Sequence, residues 1–292
     1  MQAFVAAPRS RATLAIAILF AAVGVFFAFP MARALGSQLL QSFRVQRFVA
    51  ISFDSSQPMR ALPDLAAFGT VTEISHGRMR AAASAEEAGN LAGLTVRLPA
   101  SETASREPQF MVIEPSSMSF TFDVERAREH LAAIGETSFQ INDRFDGAVL
   151  SAAIPAVVVA QFGGRPGRFA PGPEMFGPES LVVIQGRSPS AHVSGRVDLA
   201  DMRQLLLSMP GLPPETAAQL RAIDDWTTTM PIPVPRNIGV AHDVQVNGRP
   251  GLAIADNTGA GGVILWTQGG AVYAVAGGKT ADELLRIAST LG

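Results

Sequence analysis

The sequence predicts an α+β protein: an N-terminal transmembrane helix followed by a curved antiparallel sheet packed with several short helices. Three observations predict it. Residues 12–32 carry no charge, and Arg9, Arg11 and Arg33 stand just outside them. About twenty apolar residues in a helix rise roughly 30 Å, the thickness of a bilayer's hydrocarbon core. The whole chain holds 27 Gly and 20 Pro, and those that follow the run divide the rest into short elements separated by turns. The last stretch alternates like paired strands around Asn247-Gly248, the dipeptide of a two-residue hairpin.

These observations divide the chain into a cytoplasmic N-terminus (1–11), an anchor (12–34) and an extracytoplasmic α+β domain (35–292). In lipid a lone segment satisfies its backbone only as a helix. Arginines flank the span on both sides, so charge counting gives no clear orientation. A short basic start before an apolar run is how exported proteins begin, and this run exceeds a cleavable signal's usual length. An uncleaved anchor is therefore expected, with the main domain outside the cytoplasm; Ala32-Arg33-Ala34 keeps a cleavage site open. The formal net charge is −2 and charged residues make up only 16% of the chain. Such a surface offers no field for nucleic acid. Zero cysteines exclude disulfides, thiol catalysis and thiolate metal sites together.

In order, Ser37–Phe43 is expected to continue the anchor helix as a stalk. Arg47–Phe53 alternates as a strand, as does the stretch from Gly69 to Ser75. Ser84-Ala85-Glu86-Glu87 fits a capping box, opening a helix that Gly93 ends. Leu94–Leu98 reads as a strand stopped by Pro99. Gln109–Glu114 and Ser117–Phe122 read as two strands in a hairpin or near-hairpin about Pro115-Ser116. Asp123 caps a helix carrying Val124, Ala127, Leu131 and Ile134. Ala148–Phe162, broken at Pro155, is two strands or one bent strand. Leu181–Gln185 is a strand. A helical hairpin follows: Asp198 or Asp201 starts one helix, Pro210-Gly211 ends it, and Pro213-Pro214 opens the next. Thr227–Pro235 must be extended, because alternate prolines cannot donate to a ladder. The remainder is an antiparallel meander under a final helix capped at Thr280.

Few residues point to chemistry. The histidines at 76, 130, 192 and 242 lack metal-ligand spacing. Asn142–Gly147 lacks the spaced oxygen ligands of a calcium loop and reads as a polar turn. Asp256–Gly262 reads as a hairpin loop, not a phosphate cradle. Neither a cofactor nor a metal site is expected, and no catalytic constellation stands out. Gly163–Pro178 is a long Gly/Pro loop carrying Arg165, Arg168, Phe169, Met175 and Phe176, a mixture suited to covering a groove or to a binding surface. Trp266 and Tyr273 lie on adjacent strands, as core residues or as the walls of an apolar pocket.

Ser42-Phe43-Arg44-Val45-Gln46, the Met209-Pro210-Gly211-Leu212-Pro213-Pro214 centre, and Trp266 through Tyr273 to Ala281-Asp282-Glu283-Leu284-Leu285 resemble a bacterial group of membrane-anchored extracytoplasmic proteins. That group is described as anti-sigma-factor-like sensor domains and is distantly similar to the lipoprotein-carrier half-barrel. The resemblance implies a curved antiparallel sheet wrapped around helices. A working anti-sigma factor also needs a cytoplasmic module, and only about eleven residues precede this span. The expectation is a single-pass membrane protein whose outer domain is non-enzymatic and senses or binds a protein partner. The alternative is a lipid or lipoprotein carrier with an apolar cavity.

Overall fold

The computed structural model describes residues 42–54, 65–75, 77–100, 107–163 and 180–291. The expected anchor (12–34) and the residues Arg165, Arg168, Phe169, Met175 and Phe176 lie outside them. Among the described residues no helix is long and apolar enough to cross a membrane.

The described residues open with β1 (Ser42–Arg44), where the sequence predicts the end of a helical stalk. Phe43 and Val45 are both buried, a two-residue period that suits a strand and not a helix. β2 (Arg47–Phe53), β3 (Gly69–Ser75) and β4 (Met79–Ala82) follow. Helix α1 (Ala85–Ala92) is capped as its sequence predicts: the Ser84 hydroxyl accepts from the Glu87 N–H, and Gly93 ends it at φ 65°. Residues 94–98, predicted as a strand, join no ladder. Their backbone is held instead by a side chain, Gln185, whose amide accepts from Arg97 N (2.8 Å) and donates to Arg97 O (2.9 Å).

Next come β5 (Gln109–Ile113), β6 (Ser116–Phe122) and α2 (Val124–Ala133), the helix capped by Asp123. β7 (Val149–Ile154), β8 (Val157–Phe162), β9 (Leu181–Arg187) and β10 (Ser190–Ser194) precede the helical hairpin of α3 (Leu199–Ser208) and α4 (Pro214–Arg221). β11 (Thr229–Pro235) leads to the meander β12 (Gly239–Val246), β13 (Arg249–Asp256), β14 (Gly262–Gln268) and β15 (Ala271–Gly277). Helix α5 (Ala281–Ser289) closes the chain behind the Thr280 capping box.

The strands form a large sheet, ordered β12-β13-β14-β15-β9-β8-β5-β4, and a small one, β1-β10-β7-β6-β3, both antiparallel. β2 and β11 make a separate parallel pair. Prolines 231, 233 and 235 alternate along β11, so they remove donors from one edge only, and the other edge serves β2.

The division into two sheets has a local cause. Only residues 114–115 separate β5 from β6, 155–156 separate β7 from β8, and 188–189 separate β9 from β10. Each gap holds a proline (Pro115, Pro155 or Pro189), which has no N–H to give a ladder. The registers place these breaks side by side: Ile113 pairs with Val157 and Ser116 with Ile154, while Gly186 pairs with Val157 and Ser190 with Ala153. Three neighbouring strands therefore break at one level and each serves both sheets. The predicted hairpin about Pro115-Ser116 is in fact such a break, since the chain runs on without reversing.

One core lies between the large sheet and the β2–β11 pair, joining Phe48, Met230, Ile232 and Val234 to Leu252, Ile254, Val263 and Leu265. On the sheet's other face α5 covers Ile264, Trp266 and Val275 with Leu284, Ile287 and Leu291. A third cluster sets α2 against one face of the small sheet, through Ala127 and Leu131 on Phe120 and Phe122.

Candidate interaction site

The α3–α4 hairpin is built from two caps and a tether. Asp198 and Asp201 form a reciprocal capping box at the start of α3 (2.8 and 3.1 Å), and Asp201 also pairs with Arg144 at 2.6 Å. α4 begins at Pro214, where a missing N–H costs nothing. Gln219 then accepts from Ser52 N (2.8 Å) and donates to Ser52 O (2.9 Å), tying α4 to the free edge of β2.

α3 carries large apolar side chains around most of its circumference, yet none of its residues is buried. Leu199, Met202 and Leu205 lean on the small sheet's core, and Leu207 leans with Leu212 and Trp226 on β2. Leu206 is half-buried and joins neither group. Between the helices lies a groove of about 540 Å³ lined by Ala200, Arg203, Gln204, Leu207, Ser208 and Arg221. The Arg203 guanidinium donates to Arg221 O (3.0 Å) and Ile223 O (3.3 Å), closing the C-terminal end of α4. A cation is favoured there by the carbonyls it meets. It also sits 5.5 Å from the Trp226 ring centre, and its Nε is buried with no partner among the described residues.

Between α4 and β11, Asp225 accepts from the Thr227 hydroxyl and N–H and from the Thr228 hydroxyl, at 2.6, 2.8 and 2.7 Å. Those bonds, the Thr227 hydroxyl's foremost, hold its carboxyl below the usual carboxylate range. The groove thus offers an apolar wall, two arginines and small polar groups, which suits a peptide surface carrying acceptors.

The structure places Trp266 opposite Tyr273 on β14 and β15, with rings stacked 5.2 Å apart at 16°. Both are buried under α5, and Arg97 lies 5.9 Å from the Tyr273 ring centre. The Trp266 Nε1–H has no partner among the described residues. Asn142–Gly147 contains a short 3-10 turn capped by Asn142, with Phe145 packed into the core. Asp256, the buried last residue of β13, organises the β13–β14 loop by accepting from Thr258 N and Oγ1 and from Ala260 N. Among the described residues no group of three or more His, Asp or Glu side chains gathers to hold a metal.

Sequence reading identifies the helical hairpin but not Arg203, Gln204 or Arg221. The signal was faint: Arg203 and Arg221 stand on different helices, and only folding brings them to one groove. No protein-family model, curated protein or solved structure matches this chain.

Proposed function

We propose that this is a membrane-anchored extracytoplasmic interaction domain, sensory or regulatory and not enzymatic, which holds a protein partner in the α3–α4 groove. The observation that supports the reading is α3 itself: a helix rich in leucine and methionine with no buried residue, beside a groove walled by Leu207, Arg203 and Arg221. Apolar side chains with arginine and a nearby aromatic are the composition that protein interfaces favour. The filling of the large sheet on both faces supports a rigid platform for that site. A photo-crosslinking residue at Gln204 in cells tests it. One discrete adduct, lost on adding Leu207→Asp, is expected; no adduct, or one unaffected by that change, refutes the reading. Cell fractionation with protease accessibility tests the anchor and its orientation separately.

A second reading, a lipid or lipoprotein carrier, is favoured by one specific strip. Met79, Met111, Ile113, Val157 and Ile184 share a face of the large sheet and stay half-buried or exposed. Gln161, at 4% exposure, has a buried side-chain oxygen with no partner among the described residues. Lipid extracted with the purified chain, identified by mass spectrometry, would support this reading over the first.

A further inference from the structure

We propose that the outer edge of β12 pairs with the same edge of a second copy of this chain, joining two large sheets into one across a two-fold axis at His242. β12 is the end strand of its sheet, and the turn that closes it fixes which of its backbone groups face outward. A two-residue hairpin loop makes its flanking residues a hydrogen-bonded pair, here Val246 and Arg249. Bonding to β13 then falls on Val244, His242 and Val240. Two bonds at the far end agree: Asn257 N donates to Ile238 O, continuing that series, while Asp256 N turns away to Gly261 O. Ala241, Asp243 and Gln245 therefore aim their N–H and C=O groups away from β13. None of these groups meets a partner among the described residues.

No other described edge is left so bare. β11 is blunted by prolines 231, 233 and 235, and β2 by the two bonds of Gln219 to Ser52. β1 is three residues long, and its Arg44 N–H already donates to Thr227 O. β3 is bulged between Glu73 and Ser75, while β4 has four residues and carries Arg80. Short strands, prolines, bulges and basic side chains are the devices by which sheet edges avoid one another. β12 runs for eight residues with no proline, lysine, arginine or bulge. It also holds Val240, at 63% the most exposed large apolar side chain among the described residues.

The pattern of β12 selects a second copy as the occupant. Outward backbone groups bond only to outward groups, which leaves few antiparallel registers. With Asp243 on the axis, two carboxylates stand directly opposite, which is destabilising. With Val244 or Ala241 on the axis, one end of the strand runs past its partner and leaves Val240 or Gln245 outside the pairing. With His242 on the axis, Ala241 meets Asp243 of the second copy and Val240 meets Val244, each twice. This register bonds the backbones, keeps the carboxylates from facing each other and covers Val240 with an apolar cross-strand partner. The seam is one strand wide, so the dimer belongs to the weak, transient class. Nothing in the pairing depends on the α3–α4 groove or on the anchor.

The test exploits a chain without cysteine. Residues directly opposite at a non-hydrogen-bonded site have Cα atoms about 4.5 Å apart, within the span of a disulfide. In the full-length chain, in detergent micelles under mild oxidation, His242→Cys is expected to form a disulfide dimer at least tenfold faster than Ile134→Cys. Ile134 is exposed at the end of α2 and reports random collision. Val244→Cys is expected near the collision rate, because in this register the two copies of Val244 lie four residues apart along the seam. Asp243→Pro removes an outward N–H that no bond within one chain uses. Added to His242→Cys, it should slow dimer formation at least tenfold with little change in melting temperature. His242→Cys dimers at the collision rate, or unmoved by Asp243→Pro, overturn the proposal, as does a faster Val244→Cys dimer. So does a photo-crosslinker at Val240 whose adducts in cells never have twice the mass of the chain, which would assign the edge to a foreign strand.

Discussion

Replacing Gln185 by leucine should destabilise the domain by about 2–4 kcal/mol, because one side chain does the work of a whole strand pairing. Gln185 is 1% exposed, and its amide makes two bonds to the backbone of Arg97, at 2.8 and 2.9 Å. Leucine keeps most of the volume and removes both. Each bond is worth roughly 0.5–1.5 kcal/mol net, and a backbone group left dry costs about 1–3 kcal/mol. Arg97 is half-buried, so water can reach part of what is orphaned and the full sum is not expected. Arg97 also donates to Leu291 O at 3.2 Å and lies on Tyr273, so loosening residues 94–100 should weaken the packing of α5. Urea unfolding followed by tryptophan fluorescence should show the midpoint falling by about 1 M, given a slope of 2–3 kcal/mol/M for a domain of this size. Hydrogen exchange adds a local readout: the Arg97 amide should lose protection beyond what the global change explains. Gln219→Leu breaks the same geometry at a half-buried site and should cost less. The reasoning fails if Gln185→Leu leaves the Arg97 amide as protected as before, or if Gln219→Leu proves the more damaging.

Three further outcomes follow from the same structure. Thr280→Ala removes the N-cap of α5 and should cost about 1 kcal/mol in thermal or chemical melts. Glu283 accepts from the Thr280 N–H and hydroxyl (2.9 and 2.8 Å), which holds its carboxyl below its ordinary value of 4.5. A lowered carboxyl binds fewer protons folded than unfolded, so its contribution is full above about pH 4.5 and fades as pH falls through the folded value. The melting difference between wild type and Glu283→Gln should accordingly shrink on acidification. Arg203→Ala removes two bonds to the end of α4 and the cover over Trp226; a loss of about 1–2 kcal/mol and a red shift of Trp226 emission, read in a Trp266→Phe background, are expected.

Much of the fold is legible in the sequence wherever local chemistry decides it. The Asn247-Gly248 turn appears with both residues at positive φ, and Ser84, Asp123 and Thr280 cap the helices they announce. What local pattern does not hold is what a distant residue supplies. Leu94–Leu98 alternates like a strand, yet the neighbour that holds it is a glutamine eighty-eight positions away. Pro115 looks like a turn because a single proline usually is one; its meaning as a sheet break depends on Pro155 and Pro189 meeting it at the same level. β4, Met-Arg-Ala-Ala, has almost no strand character and exists because β5 offers it an edge. The α3–α4 groove is hidden for the same reason, since its two arginines converge only after the helices pack.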